Sequence, residues 1–157
     1  MGGAADHRDN QSFIVQHSAL AGMPIIVISI NYRLSAWGFL YGSAIQECGN
    51  TMLAFRGQRL ALHWVQGNIA AFGGNPSRVT TQGQSSGNTS VGAQLITYRG
   101  CNDSLFSGAI QECGYTTSLG LYTTTQAWDK VIANISAGVD CSDNVDVLGC
   151  LRSVPVD

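Results

Sequence analysis

The chain has 157 residues, enough for one domain whose folding buries roughly 70% of the surface that the unfolded chain exposes. Only 11% of residues are charged and 45% are hydrophobic, against about 25% charged in typical soluble domains, so part of the surface is expected to be covered by protein beyond this chain. A net charge of −2 with a single lysine, Lys130, excludes the basic footprint of a nucleic-acid binder, and the longest strongly apolar run, Pro24 to Ile30, is far short of the roughly 20 residues of a spanning helix.

In chain order, the first ten residues, MGGAADHRDN, contain no apolar stretch and do not read as a signal peptide, which leaves an intracellular protein or an N-terminus that lies elsewhere. PIIVISINY, residues 24 to 32, is a continuous β-branched run that predicts a parallel strand buried on both faces. From Thr51 to Phe72 the apolar residues Leu62, Val65, Ile69 and Phe72 recur at steps of three and four, with Leu60 and Trp64 alongside, and Gly73-Gly74 ends the helix they predict. Asn75-Pro76-Ser77 is a turn, Val79 to Gly83 a short strand, and residues 85 to 98 a second helix. Leu105 to Gln111 reads as a third strand after a loop at Gly100 to Ser104, and the tail has helical stretches at Trp128 to Ile135 and Val145 to Leu151. Alternating strands and helices place the chain in the α/β class, with right-handed crossovers and a parallel sheet. No linker divides residues 1 to 157, so a single domain is expected.

The hexapeptide AIQECG occurs at 44 to 49 and again at 109 to 114, and holds both glutamates of the chain, Glu47 and Glu112. Six residues are too few for a stacking repeat and the surroundings differ, so the recurrence is read as coincidence without a shared function. The five cysteines cannot all pair within one chain and none stands in a CxxC spacing, which disfavours zinc. Asn10, Asn88, Asn102 and Asn134 each begin an N-x-[ST] tripeptide.

The chemistry centres on VTTQGQSSGNTSV, residues 79 to 91. A G-x-S-x-G match alone is weak, but here Gly83-Gln84-Ser85-Ser86-Gly87 falls between a predicted strand and a predicted helix. A sharp turn at that place holds a serine oxygen exposed above the sheet, and close backbone approach requires the flanking glycines. The following helix N-terminus aims free N–H groups at a reacting carbonyl, with the Ser86 N–H as an oxyanion donor. A phosphate-binding loop is the rival reading, and GQSSGNTS lacks its lysine. Ser85 is therefore the candidate nucleophile.

NYRLSAWGFL at 31 to 40, QRLALHWVQGNIAAFGGNPSRVT at 58 to 80 and the GQSSG turn together resemble the type-B carboxylesterase and lipase family, over about Phe13 to Arg152. The resemblance implies an α/β-hydrolase fold, of which this chain is an incomplete piece. It also implies hydrolysis of small-molecule or lipid esters through an acyl-serine on Ser85, no metal or organic cofactor, and an extracellular location. The family's acid and histidine follow the serine at a distance beyond Asp157, and its HGGG-type oxyanion loop precedes residue 1, with Met1-Gly2-Gly3 at best the residues after it. His7, His17 and His63 all precede Ser85 and are read as surface or helix residues. Gln84, Ser86, Asn75 and Gly57 stand where the family usually has glutamate, alanine, aspartate and aspartate. An inactive relative, such as the cholinesterase-like adhesion modules, is the alternative reading. By the same resemblance Cys141 and Cys150 form a short disulfide loop. The other cysteines are expected to be unpaired, with Cys113, near the end of a core strand, a small buried hydrophobe. Asn88 is expected to pack beneath the site and to carry no glycan, with Asn102 or Asn134 modified first.

Overall fold

The computed structural model describes residues 4, 7, 10–114 and 124–155. Their elements in chain order are α1 (Ser12–Leu20), α2 (Ser35–Phe39), α3 (Ser43–Glu47), α4 (Leu53–Asn68), β1 (Thr80–Gln84), α5 (Ser86–Ile96), β2 (Gly108–Glu112), α6 (Thr125–Gly138) and α7 (Val147–Ser153). The contacts group the chain into two units, one of Met1–Leu34 with Ala54–Leu119 and one of Ser35–Leu53 with Gly120–Asp157.

The first unit is built on β1–α5–β2. The two strands pair in parallel, with Thr80 opposite Gly108 and Gln84 opposite Glu112, and α5 packs on both. Parallel neighbours need a crossover, and α5 supplies it. α4 buries Ala54, Gln58 and Val65, and Ile69 of the turn that follows continues this single stripe at steps of four and seven. Gly73, left-handed at φ 81°, then ends the helical run as its sequence predicts. Gln66 on α4 ties the bases of both strands together, because its Nε2 donates to Pro76 O at 2.8 Å and to Leu105 O at 2.9 Å.

Arg59, also on α4, is a buried cation that periodicity does not reveal. It pairs with the Asp103 carboxylate, donates to Cys101 O at 3.1 Å and lies 4.6 Å from the centre of the Tyr98 ring. Burying a guanidinium is costly unless it is paired and hydrogen-bonded, and these contacts hold the loop between α5 and β2. That loop includes four non-glycine residues with positive φ: Tyr98, Arg99, Asp103 and Ser104.

The expected strand at 24–32 is corrected. Among the described residues it joins no ladder, and Ile25, Ile26, Val27, Ile28 and Ile30 are 37–46% exposed. A β-branched run becomes a strand only when another backbone edge pairs with it, and none of the described residues does so. Instead, Ile26, Ile28, Ile30 and Tyr32 line one wall of a cavity of about 250 Å³, with α4, α5 and the start of β1 on the others. Among the described residues the sheet therefore has two strands where the sequence suggests three. β2 also starts later than expected. Leu105 and Phe106 are buried but precede the ladder, and Ser107 N–H reaches Val79 O at 2.8 Å as the chain turns in.

In the second unit the expected C-terminal helices are present as α6 and α7. α6 buries Ile132 and Ser136, and its Asp129 carboxylate accepts both the N–H and the hydroxyl of Ser43, each at 2.8 Å, which fixes the start of α3. Asp146 caps α7 through the Gly149 N–H at 2.8 Å. The Cys141–Cys150 disulfide is formed, with Cys141 fully buried. The repeated hexapeptide takes two forms: Ala44 to Glu47 is helical in α3, and Ala109 to Glu112 is strand in β2.

Candidate active site

β1 ends at Gln84 and α5 begins at Ser86, so Ser85 alone makes the strand-to-helix turn. It does so at φ 55°, ψ −115°, a conformation that costs a residue with a side chain of order 1–3 kcal/mol. Two backbone bonds hold it there: Ser85 N–H donates to Glu112 O at 3.0 Å, and Ser85 O accepts the Thr89 N–H at 3.1 Å as the first bond of α5. The side chain is exposed, and its Oγ makes no hydrogen bond among the described residues. An uncapped serine oxygen at the carboxyl end of a parallel strand, beside the N–H groups that open a helix, is the geometry that the sequence pattern requires.

The two glycines of the pattern differ in their reasons. A Cβ on Gly83 would lie 2.3 Å from both the carbonyl carbon and the oxygen of Gly87 and 2.9 Å from Asn88 N, so here β1 and the first turn of α5 cross without room for a side chain. A Cβ on Gly87 meets nothing within 4 Å among the described residues. The expectation that both flanking glycines are sterically required therefore holds for Gly83 only, because the close approach is of Gly87's backbone to Gly83 and not the reverse.

Gln84 points its amide at Cys113 Sγ, 3.9 Å away. Ser85 and Cys113 each follow the last paired residues of their strands, Gln84 and Glu112, and both have positive φ, 55° and 59°. Cys113 is exposed, which corrects its reading as a buried hydrophobe. Its left-handed backbone turns the chain out of the sheet after Glu112, so the thiol leaves the strand faces. The Glu112 carboxylate accepts from Gln82 Nε2 at 2.5 Å, across the strands.

Asn88 is 2% exposed, beneath the turn as expected. Its amide orientation follows from its neighbours: Nδ2 donates to Gly114 O at 3.1 Å and Oδ1 accepts the Thr89 N–H at 3.3 Å, since the opposite orientation sets two acceptors face to face. In this orientation Asn88 Nδ2 also lies 2.9 Å from the amide end of the Gln111 side chain, which itself lies 3.0 Å from Asn88 O. The involvement of Gln111 is not foreseen by sequence reasoning. The available signal is a glutamine in a strand otherwise read as core, opposite Gly83.

None of the three histidines hydrogen-bonds to Ser85 among the described residues. His63 is exposed on α4, and His17 on α1 packs its ring 4.1 Å from that of Phe13. Met1-Gly2-Gly3, read as residues following an oxyanion loop, lie outside the described residues.

Comparison with known proteins shows what the chain is similar to. A family profile described as the carboxylesterase family matches residues 1–157. The chain is similar to Lipase 4 of Diutina rugosa, at 43% identity over 152 residues that cover 92% of this chain and 27% of that protein. It is similar to Secreted lipase 1 of Botryotinia fuckeliana (strain B05.10), at 39% identity over 99% of this chain and 27% of that one. Among solved structures, one titled PNB esterase superposes with a TM-score of 0.75 at 31% identity, covering 99% of this chain and 31% of that one. The chain thus spans roughly a quarter of the length of these relatives.

Proposed function

We propose a function that starts from one established point, that this chain belongs to the carboxylesterase family, whose fold is the α/β-hydrolase fold. It contributes the nucleophile of a serine hydrolase that cleaves carboxylic esters, as part of a single carboxylesterase-type domain across residues 1–157. The observation that carries this reading is Ser85 itself, held at φ 55° between β1 and α5 with its oxygen exposed. In the reaction the Ser85 Oγ attacks the ester carbonyl carbon and its proton passes to a general base. The Ser86 N–H donates to the oxyanion, and the alkoxide leaves to give an acyl-serine that water then opens. Gly83, Gln84 and Gly87 complete the turn. The base and the acid come from residues beyond this sequence, because the histidines described here do not reach Ser85. The substrate is a small-molecule or lipid ester. The protein acts outside the cell, a reading supported by the names of relatives such as Secreted lipase 1.

A fluorophosphonate probe with peptide mapping tests the assignment. A slow, single adduct on Ser85 is expected, absent in Ser85→Ala, without ester turnover at an enzymatic rate. An adduct elsewhere, or turnover of a p-nitrophenyl ester that survives Ser85→Ala, overturns the nucleophile. Turnover that Ser85→Ala abolishes overturns the missing base and directs the search to His17 and His63. An inactive binding relative, in which no histidine hydrogen-bonds to Ser85 among the described residues, predicts no adduct at all.

A further inference from the structure

Two parallel strands and one helix meet at Ser85, and such a junction needs something to fix the angle at which the helix leaves. The backbone supplies one link, Ser85 N–H to Glu112 O. Two further links come from side chains on opposite sides of the junction. Asn88, in the first turn of α5, donates from Nδ2 to Gly114 O just beyond β2, and the side-chain amide of Gln111, in β2, lies 2.9 Å from that same nitrogen and 3.0 Å from the main-chain carbonyl oxygen of Asn88. Asn88 is among the largest fully buried side chains described, so its amide has no water to replace these partners, and losing them leaves donors and acceptors unsatisfied.

From this arrangement we propose that Asn88 and Gln111 are positioning residues for Ser85. They form a two-sided clamp that holds the first turn of α5 against the carboxyl end of β2, and so sets where the Ser85 oxygen and the Ser86 N–H point. The proposal rests on the reading of Ser85 as nucleophile but concerns the turn itself. Without the clamp, the helix start is tied to β2, among the described residues, by the Ser85 backbone bond at a residue whose conformation is unfavourable, and the turn relaxes. The cavity beside α5, partly lined by Gly87, Ser90 and Val91, leaves space for that relaxation.

The test uses Asn88→Ala and Gln111→Met in the whole chain. The second variant keeps the side-chain length while removing the amide, and remains informative where the first folds poorly. Amide hydrogen exchange needs no activity. Expected is exchange faster by about tenfold or more in a peptide spanning 83–89, with α4 unchanged. In fluorophosphonate labelling the maximal inactivation rate falls by a similar factor while the half-saturating probe concentration stays constant. Unchanged exchange at 83–89, or acceleration shared equally with α4, overturns the clamp by showing no role or a merely global one. Absence of any Ser85 adduct in the unmodified chain counts against the nucleophile reading and leaves the exchange result to decide the clamp.

Discussion

Replacing Gly83 and Gly87 by alanine, one at a time, separates two explanations of the same sequence pattern. If both glycines are required by crowding, the variants fail alike. The structure predicts opposite outcomes. The new Cβ of Gly83→Ala would sit 2.3 Å from two backbone atoms of Gly87, where ordinary contact begins at 3.4 Å, so the start of α5 must move by about 1 Å. Backbone cannot rotate away as a side-chain tip can. Overpacking of that kind costs roughly 1 to 3 kcal/mol, which at this chain length lowers the melting temperature by roughly 2 to 12 °C. Gly87→Ala meets open space and gains helix propensity of up to about 1 kcal/mol, so its melting temperature stays level or rises by up to about 4 °C. Thermal unfolding by circular dichroism reads both, and fluorophosphonate labelling of Ser85 follows the same order, slowed by tenfold or more in Gly83→Ala only. The reasoning is refuted by a Gly83→Ala variant that melts and labels like the parent, or by a Gly87→Ala variant damaged as severely.

Reduction of Cys141–Cys150, which are nine positions apart, is expected to cost about 2 to 3 kcal/mol from the entropy of the released loop; denaturant unfolding with and without a reductant measures it, and coincident curves would contradict it. Asp103 is held below the usual carboxylate pKa chiefly by its hydrogen bond from Arg59, with a lesser bond from Cys101. A lowered folded-state value means that its contribution is present above the ordinary carboxylate pKa of about 3.9 and is lost as pH falls through the lower folded value. The stability of the parent chain should therefore fall more steeply than that of Asp103→Asn over that acid range, and parallel profiles would remove the ion pair from consideration. If the protein passes through a secretory pathway, glycan mapping should find Asn134, exposed on α6, occupied ahead of Asn102, whose amide already bonds Phe106 O and the Ser104 N–H. Appreciable occupancy at Asn88 is incompatible with its burial.

The β1–α5–β2 unit was legible because its signals are local. β-branched residues lead into glycines, a helix start follows, and the next strand returns after one crossover. Gly73 as a helix stop and Asn75 as a turn residue are local signals too. What the sequence could not show is which edges meet. Residues 24–32 carry as strong a strand pattern as any in the chain, yet pairing is a property of two segments and the pattern belongs to one. Burial was misjudged at Cys113 for a related reason: its neighbours in β2 suggest a strand interior, while a positive φ at that one position turns it out. Arg59 and Gln111 were invisible as structural residues, since their partners lie 44 and 23 positions away. The resemblance carried the disulfide, which composition alone left open among five cysteines.

AIQECG is one message decoded in two ways. Identical letters imply identical intrinsic preferences, so the choice between helix at 44–47 and strand at 109–112 is written outside the hexapeptide. The preceding residue shows how. Ser43 spends its N–H and hydroxyl on Asp129, and a serine suits the opening of a helix. Gly108 faces Thr80, whose Oγ1 would lie 2.9 Å from any Cβ placed there, so the same serine would obstruct the strand pair. A label directed at the thiol of this hexapeptide reports a mixture of two environments, at Cys48 and Cys113, both exposed. The context of a few flanking atoms, and not the wording of the segment, assigns each copy its grammar.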